Sequence, residues 1–499
     1  MGEVTVGKRR EDHSVSRTES CSKETENDGK GEIPVQDVGY VLAANIANIK
    51  YEDIPGDVVD VTKKTILDTL GTIIGGSGAG AGTKEIAELV KEGGGKEESS
   101  IIGHGTKTNA WMAAFANGAM AHALDYDNVH DDAFTHPSTS TVPAALAVAE
   151  RVGRVNGKDF ITAIALGDDL HCRLAYSLSR PGNPSIQGAW MPPLALGGFA
   201  AAAVSAKLLG LGQEKIVDAF GIALNRTGGS LEIILDPGLL RGLYAAFPAI
   251  TGVLAALMAE RGIPGIKTCF EGRAGLYNVY FRGVYDRASL TKGLGEVFEG
   301  AGVSFKPWPS CRFTNPYIDA TLQIVKEQDL HPEDVVEIVV GYEAENVRNC
   351  CEPLEVKRNP LTPPDAKLSI PFTVAVAIAR RKIEIADFSP DSVREPDLLR
   401  LAQRVIPKYD PQLKSDSKTM LPAVVEIKTK DGRVYSKRVD LVYGHPKNPM
   451  GWEDLIQKFR DCSSYSAKPI LKESIDQVIE KIIRLEGVRD MREIVRLVA

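Results

Sequence analysis

Six Ala-rich stretches with helical periodicity, at about 108–125, 141–152, 158–178, 194–209, 213–225 and 244–261, constrain this chain more than any other feature of it. Small side chains let helix axes approach closely, and apolar residues recurring at i, i+3 and i+4 give each helix one stripe to bury. Few strand signals occur before residue 270, so this part is expected to be all-helical. In Val58–Ile74 the residues Val59, Ile66, Leu67, Leu70, Ile73 and Ile74 follow a helical repeat, and the Gly-rich run 75–82 is expected to end that helix. Gly76-Ser77-Gly78 within it is no dinucleotide fingerprint, because a helix and not a strand precedes it. The most apolar segment, Trp190–Gly210, contains Pro192 and Pro193 and reads as a packed core helix, not a bilayer span.

The pattern changes after residue 270. Asp334–Val340 is rich in β-branched residues, and Ala423–Leu441 reads as two strands joined at Asp431-Gly432. Helices are expected at Pro316–Glu327 and Ile370–Ala379, then again at Trp452–Phe459 and Ile475–Leu485. The fold class that follows is mainly α, a large helical domain interrupted by a smaller α+β unit. Residues 1–35 carry almost no large apolar side chains and are expected to form a disordered tail. The helical domain then takes 36–272, the α+β unit 273–445, and the returning C-terminal helices 446–499.

A chain of 499 residues exceeds what one hydrophobic core organises. The net charge of −7 argues against a nucleic-acid partner. No secretory leader is visible in the polar first residues, and the seven cysteines show no CxxC spacing. They read as unpaired, reduced thiols, including vicinal Cys350-Cys351, and point to a cytoplasmic protein with no membrane partner.

Titratable side chains are densest from His122 to His136, with Asp125, Tyr126, Asp127, His130, Asp131 and Asp132 between them. On a continuing helix His122, Asp125, Tyr126 and Val129 would share a face, with the chain leaving the helix near Asn128. Pro137 disfavours helix at His136, which places His136 just ahead of a new helix starting near Ser138. Imidazoles beside carboxylates suit proton transfer near neutrality. The plainer reading is a solvated acidic loop, and Asp131 and Asp132 are expected to face solvent. The spacing matches no HExxH or His-x-His signature, so no metal ligands are assigned. Downstream, Lys306 and Arg312 lie in a Pro- and aromatic-rich stretch and could bind carboxylates, or could simply cover apolar surface. Arg241 is an isolated cation between two apolar stretches.

These motifs together resemble the MmgE/PrpD family, which includes 2-methylcitrate dehydratase and cis-aconitate decarboxylase. His122-Ala-Leu-Asp125-Tyr126-Asp127 with His136-Pro137 is similar to the family's His-x-Leu-Asp-Phe-Asp and His-Pro motif. Lys306–Asp319 is similar to its Lys-x-x-Pro-x-Cys-Arg motif, and Ala366–Phe372 and Gly444–Gly451 match further segments in order. The resemblance implies a helical domain with an α+β lid, a homodimer, and a cleft acting on a small anionic carboxylate without an organic cofactor. The chemistry it implies is dehydration, foremost of a 2-methylcitrate-like hydroxy acid, or else decarboxylation or epimerisation. A non-catalytic member that only binds a carboxylate or metal is the reading from another class. Carried over by motif, Asp125, His136 and Lys306 would be catalytic, and Arg241, Arg312, Asp127, His130 and Tyr176 would serve the substrate. Arg241 falls where decarboxylases place a lysine, Tyr176 where animal decarboxylases carry a histidine, and Val129 where they carry a threonine. Met191 and Asn315 replace two further histidines.

Overall fold

Helices account for most of the computed structural model, which describes residues 36–178, 190–235, 238–413 and 422–499. In its first half these are α1 (Val38–Asn48), α2 (Gly56–Ala79), α3 (Thr83–Gly93), α4 (Ala110–Ala123), α5 (Ser138–Val152), α6 (Gly157–Tyr176), α7 (Pro192–Leu208) and α8 (Gln213–Leu224), followed by the helix Ala246–Glu260. All six Ala-rich stretches are therefore helical. The tail expected over residues 1–35 lies outside the described residues.

Close approach explains the composition. A Cβ placed on Gly252 would sit 2.3 Å from the Ala201 side chain, so the helix Ala246–Glu260 meets α7 nearly backbone to backbone. The same physics corrects the expected end of α2. The helix runs through Gly75, Gly76 and Gly78 and stops only at Ala79. A Cβ on Gly76 would lie 2.1 Å from the Met120 carbonyl oxygen, so the glycine admits α4 and does not turn the chain.

Two strands went unforeseen in this half, β1 (Ser99–Ile101) and β2 (Thr106–Thr108), a short antiparallel pair. The second half carries β3 (Val335–Tyr342), β4 (Val405–Tyr409), β5 (Ala423–Thr429) and β6 (Val434–Val439), in the order β4-β3-β5-β6. β5 and β6 form the hairpin expected at Asp431-Gly432, while β4 joins β3 in parallel without a clear sequence signal. One face of this sheet buries Ile338, Val425 and Ile427 with Tyr317, Ala320 and Ile324 of the helix Asn315–Glu327. The chain then returns to the first core. Leu455 and Phe459 of the helix Trp452–Ser463, and Val478 and Ile482 of the helix Lys472–Ile483, pack with Ile66 and Leu70 of α2. Burying such a side chain contributes about 1.5–3 kcal/mol.

Candidate active site

Two lysines set the shape of the acidic loop. α4 ends at Ala123, a turn before the expected exit near Asn128, and Asp125 takes a left-handed φ of 51°. His122 therefore does not share a helical face with Asp125, Tyr126 and Val129. Lys367 Nζ donates to the Ala123 carbonyl at 3.0 Å, and Lys306 Nζ donates to the Asp125 carbonyl at 3.0 Å. The Ala123 carbonyl would otherwise wait for the amide of a further turn, so Lys367 caps α4 from outside, while Lys306 holds the bend that follows it.

Beyond that bend, Asp127 is fully buried between two imidazoles. Its Oδ1 lies 2.8 Å from His122 Nδ1 and its Oδ2 lies 2.6 Å from His136 Nδ1. Burial alone would raise the Asp127 carboxyl, but His122, Lys306 and His136 hold it well below its usual range. An ionised carboxylate only accepts hydrogen bonds, so each Nδ1 carries a proton toward Asp127. An imidazole oriented this way keeps its lone pair on Nε2 when neutral and carries its second proton there when charged. Burial lowers the His136 pKa, and Asp127 offsets part of that fall.

Asp125 serves a different set. Lys306 Nζ donates to its Oδ1 at 2.6 Å, and Arg241 Nη2 stands 3.6 Å from its Oδ2. Burial would raise this carboxyl too, yet Lys306, with help from His122 and Arg241, drives it far below the ordinary carboxylate range. Such a carboxylate is a weak base. Lys306 is itself fully buried, and although burial opposes its charge, Asp125 and Asp127 keep it an ammonium.

The outer part of the loop is structural in a way the sequence hid. Asp131 was expected to face solvent and is buried instead. It accepts Arg312 Nε at 2.9 Å, Arg312 Nη2 at 2.8 Å and Ser304 Oγ at 2.5 Å. Asp132 is exposed as expected. Val129 and Ser304 form an antiparallel bridge that stitches the loop to the segment carrying Lys306. His130 accepts the Ala133 amide on Nδ1 at 3.2 Å and donates from Nε2 to the Glu299 carbonyl at 3.1 Å. Tyr176 packs edge-on against that ring, its hydroxyl 3.5 Å from Nε2.

A cavity of about 170 Å³ opens over this arrangement, walled by His122, Asp125, Val129, His136, Met191 and Arg241 with Phe134, Cys311, Arg312, Phe313 and Cys350 among its other lining residues. His130, Tyr176, Asp127 and Lys306 are not on its wall. Asp127 and Lys306 lie beneath residues that are. Arg312 lines the cavity, and its Nη1 is buried without a hydrogen-bond partner among the described residues. A larger, mostly apolar cavity of about 510 Å³ adjoins it and shares Arg241.

Two buried groups that sequence reasoning missed hold the site together. Lys458 Nζ donates to the Tyr126 carbonyl at 2.6 Å and to the Lys306 carbonyl at 2.9 Å, and pairs with Asp68 at 2.6 Å. One ammonium from the C-terminal helix thus joins both halves of the site to α2. Lys458 is an ordinary-looking lysine on an amphipathic helix, and only its contacts reveal it. Lys367 sat inside a recognised motif, and burial pushes its pKa down to about 8.

His122, Asp127 and His136 each bring one potential ligand atom to within 4.8 Å of the others. Each Nδ1 already hydrogen-bonds Asp127, so a cation bound through the two Nδ1 atoms would have to displace both of their protons.

Residues 41–287 match the MmgE/PrpD N-terminal domain, and residues 308–484 match the MmgE/PrpD C-terminal domain. The chain is 25% identical over 466 residues to a cis-aconitate decarboxylase of Homo sapiens, covering 90% of this chain and 92% of that one. It is 24% identical over 471 residues to a cis-aconitate decarboxylase of Aspergillus terreus, covering 90% and 94%. A cis-aconitate decarboxylase-like protein of Aspergillus oryzae is 23% identical over 488 residues, covering 93% and 98%.

Proposed function

The chain belongs to the MmgE/PrpD family, and from that premise we propose a lyase that acts on a small di- or tricarboxylate by proton transfer, without an organic cofactor. The observation that carries this reading is the Asp127 carboxylate shared by His122 and His136, whose rings both line a cavity bordered by Arg241. The foremost reaction is dehydration of a 2-methylcitrate-like hydroxy acid. Arg241 and Arg312, both on the cavity wall, receive carboxylates. Nε2 of His136 removes the proton α to a carboxylate. A protonated His122 gives its proton to the departing hydroxyl, so the C–O bond breaks, water leaves and a C=C bond forms. Asp127 stabilises whichever ring is protonated. Asp125 and Lys306 act together as a fixed ion pair beneath the substrate, and the low pKa of Asp125 favours His136 as the base. Such general acid–base help is worth about 10²–10⁴-fold. The α+β part then serves as a lid, and the enzyme works as a cytoplasmic homodimer.

Incubation of the purified protein with 2-methylcitrate and citrate, followed by ultraviolet detection of the unsaturated product, tests the reaction. Full activity in His136→Ala would sink the assignment of the base.

Decarboxylation is the second reading, favoured by the names of the relatives. Here His136 or His122, protonated, would quench the carbanion left by carbon dioxide. Gas release from cis-aconitate selects it. Exchange of a stereocentre proton with no net conversion would select epimerisation. Thermal stabilisation by carboxylates with no turnover on any of them would leave a binding protein.

A further inference from the structure

We infer that Cys311 and Cys350 form a dithiol modification site on the wall of the catalytic cavity, which a hydroperoxide converts to a disulfide. Both residues line the cavity together with Asp125, His136 and Arg241. They come from distant parts of the sequence, yet their thiols are hydrogen-bonded to one another. Each backbone is pinned. The Cys311 amide donates to the Lys367 carbonyl at 3.0 Å, and the Cys350 carbonyl accepts the Ile370 amide at 3.0 Å. The contact is therefore built into the framework and not left to side-chain chance.

Cys311 is the attacking thiol. It is half-buried and cavity-facing, whereas Cys350 is fully buried. The hydrogen bond from Cys350 lowers its pKa, and Arg241 and Lys306 add to that against burial and Asp125. The thiolate is the nucleophile in such chemistry. Cys351, the neighbouring thiol in sequence, is buried and pushed up to about 12, which keeps it protonated.

The chemistry balances with hydroperoxide as the named oxidant. The Cys311 thiolate attacks the terminal peroxide oxygen, the O–O bond breaks, and the alkoxide takes a proton and leaves as alcohol. The resulting sulfenic acid is attacked by the Cys350 sulfur, which forms the S–S bond and releases water. Two thiols are oxidised by two electrons and one hydroperoxide is reduced. The bridge ties the segment bearing Arg312 to the adjacent segment bearing Cys350, and on the lyase reading this locks the Arg312 side of the cavity and stops turnover.

The test treats the reduced full chain with hydrogen peroxide, blocks remaining thiols with an alkylating agent, and maps the digested peptides by mass spectrometry. The expected result is a Cys311–Cys350 linked peptide that dithiothreitol releases, absent in Cys311→Ser and in Cys350→Ser and retained in Cys351→Ser. Mapping of the unmutated protein decides the matter even if a variant fails to fold. A Cys350–Cys351 link, over-oxidation of Cys311 with Cys350 still free, or no oxidation at either thiol would overturn the proposal. This readout does not depend on turnover. If the link forms and no lyase activity exists, the function fails and the site stands. If turnover exists and survives formation of the link, only the inhibitory consequence fails.

Discussion

Asp127 and Asp131 lie four positions apart on one loop, and both are buried acceptors of short charge-assisted hydrogen bonds. Their partners make them opposites. Asp127 holds two imidazoles by Nδ1 and leaves each ring a second nitrogen for chemistry. Asp131 receives a guanidinium through two nitrogens and a hydroxyl besides, so its charge is spent on joining the loop to the segment 304–312. A buried carboxylate becomes catalytic through what its partners have left to offer, and structural when they have little.

On the proposed lyase reading, the sharpest way to break this contrast is at the Asp127 end. His136→Ala should lose about 10²–10⁴-fold in turnover with the fold intact by circular dichroism. The pH profile of the unmutated protein follows from the sign of the His136 shift. Burial puts the His136 pKa below 6.5, so the neutral base persists under that pH and activity falls only as pH drops through the lower folded value. An acid limb above pH 6.5 would remove His136 as the base. The same depression means the unfolded chain binds this proton first, so stability also declines as pH falls below 6.5.

At the structural end, Asp131→Ala strands the Arg312 cation and should cost about 3–5 kcal/mol in denaturant unfolding. Replacing Asp131 and Arg312 together by Leu and Met should cost much less, because no unpaired charge remains. Equal losses in the single and double variants would show that the pair is not the source of the effect.

Lys458 tests whether the two ends are coupled. Lys458→Met removes one partner of a buried pair and should destabilise by a similar or slightly smaller amount, about 3 kcal/mol. As a positioning residue it should lower kcat more than it raises KM, leave the acid limb in place, and be partly rescued by Lys458→Arg. A change in KM alone would place it elsewhere in the mechanism.

The smallest effect is expected at Tyr176→Phe. Its hydroxyl is 3.5 Å from His130 Nε2, a ring already satisfied by backbone, so the change should cost at most about 1 kcal/mol and leave turnover unaltered. Strong loss of activity there would return the outer loop to the catalytic machinery.

The Ala-rich repeats, the Asp431-Gly432 hairpin and the cluster His122–His136 were all readable from the chain, because period, turn chemistry and residue type are local properties. Three other features were not. The glycines of α2 look like a helix stop until Met120 is seen pressed against Gly76. Asp131 looks solvated until Arg312 arrives from far downstream. Lys458 looks like any surface lysine until its ammonium is found between two carbonyls and Asp68. Residue order alone places the Ala-rich helices, the segment that bears the titratable groups, and the family those motifs resemble. Tertiary structure alone decided which carboxylate meets imidazole, which meets guanidinium, and where α4 stops. The value of a charge depends on its distance from other charges and from water, and those distances are set by parts of the chain that local pattern cannot bring together.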